Sequence, residues 1–144
     1  MTDINESLSG CLYFASNKLA RSISKMADEE FRITGLSPTY AFLICIVNEN
    51  TEISQKEISE KLHMTPSTIT RFIDKLENKN LVIRRSDGKT TLISLTKKGV
   101  ELIPCISKAW QNLHERYSSI LSEEENQELA IAINKVANKF EGKC

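Results

Sequence analysis

The chain has 144 residues, 19 of them basic and 19 acidic, so it carries no net formal charge. At 40% hydrophobic and 26% charged residues it has a globular composition and the size of one compact domain with helical extensions, which excludes a disordered or collagen-like chain. The longest apolar run, Tyr40–Val47, is eight residues against the roughly 20 that a membrane-spanning helix needs, so no membrane partner is expected.

Residues 1–9 are polar and show no basic stretch before an apolar one, so no secretory signal is expected and the chain reads as cytoplasmic. Cysteines stand at positions 11, 45, 105 and 144, with no pair at metal-binding spacing. They read as reduced thiols, and neither a metal site nor a cofactor is expected. The charge is neutral only in sum. Residues 1–53 hold 4 basic and 7 acidic residues, residues 54–99 hold 10 and 5, and residues 100–144 hold 5 and 7. A basic middle between acidic flanks is the pattern of a nucleic-acid reader with separate assembly helices.

In chain order, Ile4, Leu8, Cys11, Leu12, Ala15, Leu19, Ile23, Met26 and Ala27 recur at helical steps and predict one long helix over 4–31. Gly35 ends that pattern. Ser37-Pro38 then supplies an N-cap and an N1 proline, so the apolar run after it is read as a buried helix rather than a strand. Ser54-Gln-Lys-Glu57 is a capping box with Ile53 and Ile58 at staple spacing, and its helix should end near Leu62. After the short link His63-Met64, Thr65-Pro66 repeats the cap-and-proline signal, which predicts a helix-turn-helix.

The helix from Pro66 to about Lys79 should bury Ile69, Phe72, Ile73 and Leu76. Ser67, Thr68, Thr70, Arg71, Asp74 and Lys75 are left outward, and Asn80 ends the helix in a left-handed conformation. Two strands, 81–85 and 90–95, follow around Asp87-Gly88, and the expected register sets Ile83 against Leu92 and Arg85 against Thr90. Thr96 opens a helix to about residue 120, which Pro104 should kink or delay. Ser122-Glu-Glu-Glu125 opens a last helix carrying Leu129, Ile133, Val136 and Phe140.

The order is therefore mainly α with a small β-hairpin wing: a winged helix-turn-helix plus long dimerisation helices. The run Thr65-Pro-Ser-Thr-Ile-Thr-Arg-Phe-Ile-Asp-Lys-Leu-Glu-Asn-Lys-Asn-Leu-Val-Ile-Arg84, followed by Leu92-Ile-Ser-Leu-Thr-Lys-Lys-Gly99, resembles the MarR family of transcriptional regulators. The resemblance implies a homodimer on an inverted-repeat operator, with residues 1–35 and 100–144 forming the dimer and 36–99 the DNA-binding lobe. It implies double-stranded DNA as partner and a repressor responsive to a small-molecule effector. Two departures stand out. Asn80 occupies a place where the family usually has Gly, and the wing is a short Asp87-Gly88-Lys89 without the family's Arg near its tip.

The residues themselves fit that reading. Short side chains near the start of a recognition helix let the backbone approach DNA, and a longer donor reaches guanine or phosphate. Thr65, Ser67, Thr68 and Thr70 are the former, Arg71 and Lys75 the latter. Lys56, Arg84, Arg85 and Lys89 are placed for phosphates, although the two arginines could equally pair with neighbouring acids.

Phe14, Asn17, Lys18, Arg21 and Tyr40 are candidates for lining an effector pocket. Cys11 is the candidate for an alternative, thiol-based redox-sensing regulator, and Cys45 reads as core. Cys105 and Cys144 could bridge two subunits only if the dimer brought them together. No catalytic residues and no enzyme are expected. His63 and His114 are the only histidines, and no nucleophile, phosphate-binding or dinucleotide motif occurs. A winged helix used only to bind protein is the remaining alternative, and it would show no salt-dependent affinity for DNA.

Overall fold

The computed structural model describes residues 3–142. Its elements are α1 (Ile4–Ser9), α2 (Leu12–Phe31), a 3-10 turn (Arg32–Thr34), α3 (Pro38–Asn48), β1 (Ile53–Ser54), α4 (Gln55–Leu62), α5 (Pro66–Asn78), β2 (Val82–Asp87), β3 (Thr90–Leu95), α6 (Lys97–Ser118) and α7 (Glu123–Phe140). The apolar run after Ser37-Pro38 is a helix, and Ala41, Leu43, Ile44 and Val47 are buried on it. One core joins α2, α3, the helix-turn-helix and α6. Phe31, Leu43, Ile44, Ile58, Ile69, Ile73, Leu76, Ile93 and Ile106 are wholly buried in it. No single described helix is long and apolar enough to cross a membrane.

Four expectations change. The single helix over 4–31 is broken, because α1 stops at Ser9 and Cys11 turns extended (φ −86°, ψ 116°) as the N-cap of α2. Gly10 stands at the break, where its backbone freedom makes continuing a helix unfavourable, and α1 buries no residue that would hold it in line. The sheet has a third strand, since β1 pairs antiparallel with β3 in the order β1-β3-β2. Ser54 therefore ends a strand opposite Leu92 and also caps α4, its hydroxyl accepting from the Glu57 N–H at 3.1 Å. The reciprocal half of the capping box is replaced: Ser54 Oγ donates to Glu57 Oε1 at 3.1 Å.

The hairpin register differs by two residues. Asp87 faces Thr90, so Arg85 opposes Leu92 and Ile83 opposes Ser94. Only Gly88 and Lys89 lie between the strands, and Gly88 alone of the pair has positive φ (63°), the signature of a two-residue turn with glycine first. Finally, Pro104 does not delay α6. The helix runs from Lys97 through Pro104 to Ser118, fixed at its start by Thr96, whose hydroxyl accepts from Gly99 N–H at 3.0 Å.

α7 has the full capping box predicted for Ser122 and Glu125, but no buried residue. Its apolar stripe instead lines two open grooves against α2. The first, of about 440 Å³, is formed with Leu19, Ile23 and Met26 by Leu129 and Ile133. The second, of about 350 Å³, is formed with Leu12 and Ser16 by Val136 and Phe140.

Candidate nucleic-acid interface

The helix-turn-helix is built from local signals. His63 closes α4 in the left-handed conformation (φ 54°). The turn is latched back onto α4 by Ser59, whose hydroxyl donates to the Met64 carbonyl and whose carbonyl accepts from Met64 N–H at 3.1 Å. Thr65 then caps α5, its hydroxyl accepting from Thr68 N–H at 3.4 Å and lying 2.9 Å from the Thr68 hydroxyl. Ile69, Ile73 and Leu76 anchor α5 in the core, and Phe72 lies half-buried with its ring stacked on Tyr40 at 4.2 Å between centroids.

That anchoring sets the opposite face in solvent. Thr65, Ser67, Thr70, Arg71, Asp74 and Lys75 are exposed and Thr68 partly so. Thr70 Oγ1 donates back to the Pro66 carbonyl at 3.0 Å, and Arg71 Nη2 lies 3.4 Å from Thr68 Oγ1. The Lys75 ammonium sits 5.9 Å above the Tyr40 ring. Lys56, in the first turn of α4, and Lys89, at the wing tip, are also exposed. Among the described residues Lys56, Arg71, Lys75 and Lys89 enter no ion pair.

The two wing arginines are different. Arg85 forms a two-pronged pair with Glu52, Nε to Oε2 and Nη2 to Oε1, both at 2.8 Å. This hydrogen bond and the charge behind it hold the Glu52 carboxyl below its usual range, against a smaller effect of desolvation. Arg84 is three-quarters buried and bonded to Asp74, Glu77, Gln55 and the Thr70 carbonyl. Of the two readings open at the sequence level for these arginines, the structure displays the acid pairs.

The other candidates fall in separate places. Asn17 and Arg21 line a shallow groove along α2 with Lys25, Asp28, Glu29 and Arg32. Lys18 is exposed and Phe14 half-buried on the same helix. Tyr40 does not line that groove, because its ring is taken up by Phe72. Cys11 is exposed at the start of α2, with no side-chain hydrogen bond to the helix it precedes. Cys45 is half-buried, and desolvation, then the Glu49 charge, pushes its thiol up. Cys105 Sγ donates to the Ile33 carbonyl at 3.1 Å. Cys144 lies outside the described residues. Acid pairing was one of the two readings open for these arginines, but the particular partners, Glu52 for Arg85 and Asp74 and Glu77 for Arg84, meet them only through the fold. His114 Nε2 stands 3.9 Å from Glu123 Oε2.

A helix-turn-helix whose second helix turns an uncovered polar face outward beside a two-stranded wing defines a winged helix-turn-helix protein. The MarR family profile matches residues 36–89, the span from the start of α3 to the wing tip. The chain is similar to the MarR family over that span. It is 27% identical over 144 residues to the HTH-type transcriptional repressor MdtR of Bacillus subtilis, covering 98% of this chain and 88% of that one. It is 28% identical over 117 residues to the transcriptional regulator MhqR of the same organism, covering 79% and 81%. The fold matches a MarR mutant from E. coli complexed with operator DNA, with a TM-score of 0.80 at 21% identity over 94% of this chain and 99% of that one. It also matches the S. aureus MepR–DNA complex, with a TM-score of 0.78 at 20% identity over 90% and 98%.

Proposed function

We propose that this chain is a sequence-specific DNA-binding transcriptional regulator, a ligand-responsive repressor that grips an inverted-repeat operator as a homodimer in the cytoplasm and catalyses no reaction. The observation that carries the reading is the outward face of α5. Ser67, Thr68 and Thr70 keep side chains short where the backbone must approach base edges, and Arg71 supplies a reaching donor one turn on. Pro66 has no N–H and Thr65 caps that of Thr68, which leaves the Ser67 N–H for a phosphate at the positive end of the helix. Lys56, Lys75 and Lys89 flank this face with unpaired charge for the backbone. Arg85, tied to Glu52, and Arg84, tied to α5, support the wing.

The open grooves between α2 and α7 support the dimer. Leu12, Leu19, Leu129, Ile133, Val136 and Phe140 are each between 37% and 77% exposed. So continuous an apolar surface on the terminal helices is the kind that a second copy covers. A dimer also gives an effector its lever. Two recognition helices must enter grooves about 34 Å apart, and a shift of a few ångströms between lobes misplaces one of them. The outer face of α2, with Phe14, Asn17, Lys18 and Arg21, is the proposed place for such an effector.

Selection from a pool of random duplexes tests the function. The proposal expects an inverted repeat whose half-sites lie about 10 base pairs apart, centre to centre. Recovery of no common sequence would refute it and favour a protein-binding winged helix.

A further inference from the structure

Acidic residues on a helix offered to DNA need an explanation. Asp74 and Glu77 stand on α5 itself, and bare carboxylates there would repel phosphates. Both are engaged by Arg84 from the wing strand β2. Arg84 Nη1 donates to Glu77 Oε1 at 3.1 Å, and Nη2 donates to the Thr70 carbonyl at 3.1 Å and to the Asp74 carboxylate. Nε donates to Gln55 Oε1 at 3.3 Å. All three guanidinium nitrogens are used. Glu77 also holds the strand's backbone, its Oε2 accepting from Arg84 N–H at 3.3 Å. Gln55 closes the circuit, its Nε2 lying 3.3 Å from Thr70 Oγ1, so the start of α4, the middle of α5 and the root of the wing are bonded through one side chain.

A phosphate contact by Arg84 would require breaking this set and would leave Asp74 and Glu77 facing a polyanion. We infer that Arg84 is a positioning residue for DNA recognition: it clamps the wing to α5 through Thr70, Asp74 and Glu77, and does not itself touch DNA. The clamp fixes the distance from the Arg71 face to the Lys89 tip and cancels the two carboxylates on the recognition helix. This rests on the DNA-binding reading and adds to it a role for two acids that the reading alone would count against binding.

The test measures operator affinity against salt for Asp74→Asn, Glu77→Gln, Arg84→Met and Arg84→Lys. Removing a negative charge from a DNA-facing helix should tighten binding by simple electrostatics. The clamp predicts the reverse, a loss of about threefold to tenfold for each acid variant, because a charge-assisted bond is broken. Arg84→Met loses about tenfold or more, with the slope of log affinity on log salt unchanged. Arg84→Lys also loses affinity, since one ammonium cannot replace a three-sided fork. Acid variants that bind as well as or better than the parent, or an Arg84→Met slope reduced by about 0.9 as for one lost phosphate contact, would overturn the inference.

A second measurement needs no DNA. Amide hydrogen exchange in β2 and β3 should quicken in Arg84→Met and Asp74→Asn while α3 and α6 keep their protection. Unchanged exchange in the wing would also overturn the clamp. If the parent chain shows no selective binding yet the wing loosens as stated, the clamp stands and it is the DNA reading that fails.

Discussion

Gly99 lies under the Leu81 carbonyl so closely that a Cβ there would stand 2.3 Å from the oxygen. The same carbonyl accepts the Thr96 N–H at 3.1 Å, so the end of the wing, the start of α6 and the link after α5 converge on one backbone atom. Since Gly99 is also buried in the first turn of a capped helix, neither side can retreat freely. Gly99→Ala should cost about 1–3 kcal/mol and lower Tm by about 5–10 °C in a chain of this size. Thermal unfolding followed by circular dichroism checks it, and an unchanged Tm would show that the contact relaxes without cost.

Arg71→Ala should weaken operator binding by about 1–3 kcal/mol, the usual cost of a lost base or phosphate contact. Among the described residues Arg71 reaches only Thr68, so the variant should keep its Tm and its oligomeric state. A folded variant with unchanged affinity would remove Arg71 from the interface.

Ile133→Asp should convert the proposed dimer to a monomer. Ile133 lines both grooves between α2 and α7 and is 46% exposed within one chain, so the carboxylate costs the protomer little and the interface much. Light scattering during gel filtration reads the mass, and helix content should be kept. A variant that remains dimeric would place the interface elsewhere.

The Glu29–Arg116 pair sets an acid limit on stability. Arg116 Nη1 donates to Glu29 at 2.9 Å and to Glu30 at 3.1 Å, joining α2 to α6. The hydrogen bond from Arg116 holds the Glu29 carboxyl below its usual value, against the weaker pull of desolvation. With the folded value depressed, the contribution is complete above the ordinary carboxylate range and is lost as pH falls through the folded value. Tm should therefore be higher for the parent than for Glu29→Gln above about pH 5, with the gap closing below about pH 4. A gap independent of pH would show that the carboxylate charge is not what stabilises.

Much of this fold was legible because the sequence marks its helix starts chemically. Thr65, Thr96 and Ser122 cap as their patterns predict, and Asn80 takes the left-handed conformation (φ 60°) at the end of α5. The outward face of α5 followed from spacing alone. The hairpin register did not, because a shift of two residues leaves every side chain on the same face and hydrophobic alternation cannot detect it. β1 is two residues long, too short for any period, and its Ser54 carries a cap signal that hides its strand role. For Arg84 and Arg85 phosphate contact and acid pairing stayed equally open in the sequence, because their acids, Asp74, Glu77 and Glu52, meet them only after folding. The break at Cys11 reflects what α1 lacks, a buried face, which the helical spacing of Ile4 and Leu8 conceals.

The most direct test of the central claim is titration of the full chain onto the DNA upstream of its own gene, against salt and against excess unrelated duplex. A regulator of the proposed kind forms a tight complex that resists competitor, holds two protomers per site and weakens steeply with salt. Binding that is equally strong on unrelated duplex, or no binding at all, would contradict the reading of α5 as a sequence-specific recognition helix.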